Sequence, residues 1–154
     1  MVAVSIRNTT RRSLPVAHLR AFAFAVLKEF GAQGELCISF VGEKTIKNLN
    51  RRYLRRGGTT DVISFTMDDQ SAECGMRSAE CGEILIGDVV ICVPSAVRDA
   101  QEEGIALRRK LEILILHGIL HIMGYDHEFK DERKRMEEKE GQIWKALRKI
   151  KKGK

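Results

Sequence analysis

Within the stretch HGILHIMGYDH, residues 117 to 127, stand three of the chain's four histidines. His117 and His121 are four positions apart, so an α-helix puts both on one face, one turn above the other, close enough to share an ion. Gly124 is a natural helix stop, and the turn that follows can swing His127 back toward the same face. Three nitrogen ligands on a divalent ion leave a fourth position for water, which distinguishes a catalytic site from a closed structural one. Such a water ionises near neutral pH and attacks an electrophile. A lone histidine on an apolar helix is more often a satisfied core residue, and H-x-x-x-H alone persuades little. The third histidine beyond the glycine is what favours a metal. His18, far away on another segment, is read as structural.

One residue is missing from this constellation. In H-E-x-x-H peptidases the position after the first histidine carries the general base beside the metal-bound water. Here that position is Gly118. A carboxylate-driven peptidase is therefore disfavoured, and so is a deaminase, whose glutamate works among cysteine ligands. Phosphodiester cleavage still suits the arrangement, because a metal can stabilise charge on phosphate oxygens and a cationic side chain can do the rest.

The elements that must carry these residues follow from periodicity. VAVSIRN has the β-branched content of a first strand. Ser13 and Pro15 then open a helix on which Leu19, Phe22, Val26, Leu27 and Phe30 recur at three-to-four spacing up to Gly31. ELCISFVG alternates as a strand, and Ile46, Leu49 and Leu54 suggest a short helix ending in RRGG. TDVISF and EILIGDVVICVP read as two further strands, the second stopped by Pro94. Helices are expected over about 96–103, about 105–123, which is the most apolar, and about 129–149. The whole is a single α+β domain over residues 1–154, a small mixed sheet of about four strands with helices packed on it. The metal site is expected at the end of the central apolar helix.

Bulk properties agree with this picture. A chain of 154 residues, 44% hydrophobic and 31% charged, is long enough to bury one core and carries no bilayer-length apolar run. No secretory leader is recognisable at the N-terminus, so a cytoplasmic protein without membrane association is expected. The net charge of +6 favours polyanionic partners. Cys37 and Cys92 sit in apolar strand-like runs and read as buried thiols. Cys74 and Cys81 belong to an exact duplication of SAECG, which marks residues 68–82 as a loop insertion. Residues 148–154 form a basic tail, either solvated or an extension of a polyanion-binding surface.

The histidine stretch resembles the H-G-x-L-H-x-x-G-Y-D-H signature of the endoribonuclease YbeY family, the rRNA maturation factors of bacteria. NRRY and TTDVISF are similar to that family's N-x-x-Y-R and P-T-D-V-L-S-F segments, GDVVI to its G-D-I-V-I strand, and Met136 with Glu140 to its M-x-x-x-E helix. The resemblance implies a metal-dependent, single-strand-specific endoribonuclease acting in 16S rRNA 3′-end maturation and ribosome quality control. Its implied partners are single-stranded RNA, small-subunit rRNA and ribosomal proteins, with no small-molecule cofactor. By the same carry-over His117, His121 and His127 bind the metal, zinc or another divalent transition metal. The sequence departs from the family at Leu54, where the family has an arginine that contacts the RNA phosphate. Arg55 is the expected substitute in catalysis, with Arg52, Arg55 and Arg56 as RNA contacts, since guanidinium offers a planar fork to phosphate oxygens. The same arginines also suit a solvated helix end. A second reading is a ribosome- or RNA-binding protein whose metal is structural and whose nuclease activity is slight.

Overall fold

The computed structural model describes residues 2–51, 62–66, 85–125 and 130–152. The strand β1 (Val2–Asn8) leads into the helix α1 (Val16–Glu29), the strand β2 (Gly34–Val41) and the short helix α2 (Glu43–Leu49). Two strands, β3 (Val62–Thr66) and β4 (Leu85–Cys92), precede three helices, α3 (Val93–Glu103), α4 (Leu107–Ile122) and α5 (Lys130–Lys152). This is the expected α+β domain. The duplicated segment with Cys74 and Cys81 lies outside the described residues, as does the RRGG end expected for the second helix.

The sheet runs in the order β1-β2-β4-β3. β1 and β4 flank β2 in parallel, and β3 closes the far edge antiparallel to β4. Parallel neighbours cannot be joined by a tight hairpin, so α1 must carry the chain from β1 to β2. A central parallel strand is covered on both faces, and every residue of β2 is buried accordingly. Its alternation is still visible in what each face meets. Leu36, Ile38 and Phe40 join Val89 and Ile91 of β4 in the main core with α1, α4 and α5. Val41, Val90, Cys92 and Ile63 meet Ile46 and Leu49 of α2 in a smaller cluster. Cys37 and Cys92 are buried free thiols, as expected.

Two boundaries differ from the sequence reading, both for local reasons. The strand ends at Cys92 and α3 begins at Val93, so Pro94 lies in the first turn of a helix. Proline is tolerated there because first-turn N–H groups have no intrahelical partner to lose. At the other end, α5 continues to Lys152 through most of the basic tail. Lysine and arginine are good helix formers, and Met136, Ile143 and Leu147 anchor the helix to the core at spacings of seven and four.

The helix α4 is the centre of the fold. It is apolar nearly all round, with Leu111, Ile115, Leu116, Ile119 and Leu120 fully buried, because it packs on the sheet below and on neighbouring helices at its flanks. Two charged residues lie within this surface, and each has a partner. Lys110 donates to Glu103 at 2.8 Å, and Glu112 is met by His18 of α1 at 2.7 Å. His18 thus has a partner within the fold, and the identity of that partner is a tertiary fact. Among the described residues no helix is long and apolar enough to cross a membrane.

Candidate metal centre

The two helical imidazoles meet at the C-terminal end of α4. His117 and His121 bring their Nε2 atoms to 3.1 Å, with ring centroids 4.7 Å apart and planes at 76°. Tetrahedral ligands about 2.0–2.1 Å from an ion stand roughly 3.3 Å from one another, so these nitrogens already approximate one edge of such a polyhedron. The donor type fits zinc or a similar divalent ion, which neutral imidazole binds well. Both rings are half-buried, which keeps them positioned while leaving one side accessible. Helix C-terminal carbonyls carry partial negative charge, a further reason for a cation to favour this end.

The helix ends sharply behind them. The amide of Gly124 donates to the His121 carbonyl at 3.1 Å and that of Tyr125 to the Leu120 carbonyl at 3.0 Å, the paired bonds of a Schellman turn. Gly124 has φ +96°, a conformation that side-chain-bearing residues rarely adopt. The Tyr125 ring then packs against Phe30, just past the end of α1, with centroids 6.3 Å apart, so the chain is turned back across the helix end. His127, the expected third ligand, lies outside the described residues, as do Arg52, Arg55 and Arg56. Among the described residues no group of three metal-binding side chains comes together.

Gly118 explains the missing glutamate in steric terms. A Cβ built there would lie 2.8 Å from Val89 Cγ1 and 3.1 Å from Ser64 Oγ. The helix at this point sits directly on β3 and β4, and even a Cβ there would require a neighbour to shift. Ser64 contributes to the same contact, since its hydroxyl donates to the Gly118 carbonyl at 3.2 Å. Its observed partner is 54 residues away, a distance that no local pattern reveals.

Glu140, in the stretch matched to the family's helix motif, lies on α5 away from the imidazoles, beside Trp144. Burial pushes its carboxyl above the ordinary range, against a hydrogen bond with Trp144 that pulls it down. A carboxyl raised in the folded state favours folding while both states are protonated, and that contribution is lost as pH rises through the native value. Glu140→Gln removes the penalty felt at neutral pH. The variant is expected to gain stability relative to the parent at pH 7 and to lose that advantage toward pH 4, as read from denaturant midpoints at both pH values.

A four-stranded mixed sheet carrying a buried central helix, with two imidazoles converging at its end, defines an α+β protein built to present a helix-borne histidine pair. Its place among known proteins follows from sequence comparison. The family model described as Endoribonuclease YbeY matches residues 5–148, and the chain belongs to that family. An endoribonuclease YbeY of Geobacter metallireducens is 38% identical over 148 residues, covering 94% of this chain and 95% of its own length. One from a Nocardioides species is 34% identical over 137 residues, covering 88% of this chain and 91% of its own. The solution structure of TM1509 from Thermotoga maritima shares the fold, with a TM-score of 0.58 at 21% identity over 96% of this chain and 93% of that one.

Proposed function

We propose that this protein is a metal-dependent, single-strand-specific endoribonuclease acting in 16S rRNA 3′-end maturation and ribosome quality control. The observation that carries the reading is the 3.1 Å convergence of the His117 and His121 Nε2 atoms at the end of a buried helix, in a member of an endoribonuclease family. His117, His121 and His127 would hold the ion, zinc or a similar divalent metal. Bound there, it would supply an activated water and charge stabilisation for a phosphate oxygen.

The chain's own residues do the rest. His117 and His121 are held by a helix packed on the sheet and on neighbouring helices, which fixes their mutual spacing before an ion binds. Gly118 keeps that helix close to β3 and β4, and Ser64 ties the two together. With glycine after the first histidine, no carboxylate stands where a peptidase would keep its general base. Arg55, with Arg52 and Arg56, is assigned to RNA phosphate contact in place of the family's arginine at Leu54. Guanidinium binds phosphate in a bidentate manner, and the net charge of +6 draws the polyanion toward the protein.

Chelation tests this reading against a structural metal. The core of α1, α4 and β2 is closed by apolar contacts and the His18–Glu112 pair, none of which involves the two imidazoles, so removing the ion is expected to abolish cleavage of single-stranded RNA while circular dichroism and Tm change little. Metal added back should restore activity, and a duplex of the same sequence should resist cleavage. Unfolding on chelation would instead support a ribosome- or RNA-binding protein with a structural ion.

A further inference from the structure

On the side of α4 away from the imidazoles, between α1, α4 and α5, lies a cavity of about 350 Å³. Glu112, on its wall, precedes His117 by five residues, which turns it roughly 140° around the helix axis from that histidine. The volume falls at the lower end of the range of small-molecule sites, which favour spaces between helices and mix apolar walls with a few placed polar groups.

Its lining has three chemically distinct parts. Phe22 and Trp144 form an aromatic wall, their centroids 5.4 Å apart and their planes tilted by 34°. The Arg109 guanidinium lies over Trp144 at 4.0 Å and, with exposed Arg148, supplies positive charge. The third part is Glu112, whose side chain is only 7% exposed. Its Oε1 is engaged by His18 at 2.7 Å, whereas its Oε2 stands 3.6 Å from the Arg109 Nη1, too far for a hydrogen bond.

A simple anion does not match this lining, because the buried carboxylate would repel it. An apolar ligand would leave the charged groups unused. The match is a flat ring with N–H donors at one end and negative charge at the other. Guanine presents adjacent N1–H and N2–H donors that a carboxylate can accept together, and the 5′-phosphate of its nucleotide, at the far end, suits an arginine at the cavity mouth. Adenine sets a lone pair at N1 beside its single amino group, so one of its two contacts with Glu112 would be repulsive. We propose that this cavity binds a guanine nucleotide, with Glu112 reading the base, Phe22 and Trp144 forming the wall it lies against, and Arg148 holding the phosphate, while Arg109 stays beside Glu112 and over Trp144. The source is either a free nucleotide or an unstacked guanosine in single-stranded RNA, since both carry the same chemistry. The proposal does not depend on the metal or on cleavage.

Trp144 is the only tryptophan in the chain, so intrinsic fluorescence reports directly on this cavity. The full-length protein would be titrated with GMP, AMP, a pentauridylate and the same oligomer carrying one central guanosine. A saturable change with GMP at a Kd at least about tenfold below that for AMP supports a free-nucleotide site. Saturation by the guanosine-containing oligomer alone supports an RNA base. Arg148→Glu and Ala21→Phe, both at exposed positions, should weaken the response at least about tenfold with circular dichroism unchanged. No saturable response to either guanine probe at millimolar concentration, equal affinity for AMP, or unaltered binding in both variants would overturn the proposal. Because the readout is binding, such a failure leaves the metal reading untouched.

Discussion

His117→Ala and His121→Ala are each expected to lower single-stranded RNA cleavage by more than about a hundredfold while the protein stays folded. Replacing outer-shell partners of a metal site typically costs roughly 10–100-fold, and loss of a direct ligand should exceed that. The two side chains converge on one point, so neither can stand in for the other. Stability should change little. Both rings are half-buried at the end of α4, and alanine is the best helix former. The check is cleavage rate, bound metal and Tm measured on the same preparations. Full cleavage in either variant would remove the metal-hydrolase reading, and loss of the fold in both would point to the structural metal.

Gly118→Glu is expected to do the opposite, disrupting structure first. Even alanine would place a Cβ 2.8 Å from Val89 Cγ1, closer than real contacts allow, and 3.1 Å from the Ser64 hydroxyl. Overpacking of this kind costs about 1–3 kcal/mol, against a helix-propensity gain of about 1 kcal/mol on replacing glycine. Gly118→Ala should therefore be neutral to destabilising by about 2 kcal/mol, in contrast to the stabilisation expected at an open helical site. Glutamate adds a longer side chain and a charge with nowhere to go between the helix and the sheet, so the variant should fail to fold or melt far below the parent. Thermal melts of the parent and both variants settle the matter. A Gly118→Glu protein with parental Tm would show that steric closeness is not what keeps glycine there. The same contact distinguishes this site from H-E-x-x-H enzymes, since a helix pressed this tightly to its sheet has no room for a carboxylate after the first histidine.

The proposed guanine pocket and the candidate metal centre use different faces of the same helix. Glu112 and His117 both belong to α4, yet one looks toward α1 and α5 and the other toward the open end of the site. A central helix with every side engaged can serve two sites independently, provided that the core between them stays intact.

Local pattern in the sequence was enough for α1, α4 and their stops, for the four-residue spacing that faces His117 and His121 the same way, and for the glycine that ends the helix behind them. Each depends on residues within one or two turns of one another, where periodicity and backbone preference act directly. The tertiary structure alone decided that β2 lies between β1 and β4, that Ser64 bonds Gly118, that His18 partners Glu112, and that a side chain at position 118 would crowd Val89. These facts join residues from 54 to 94 positions apart in the chain for the two hydrogen bonds, and their energies come from packing and burial that only the assembled core creates. The histidines were legible because a helix positions them; the pocket on α4's other face was not, because three separate helices must come together before it exists.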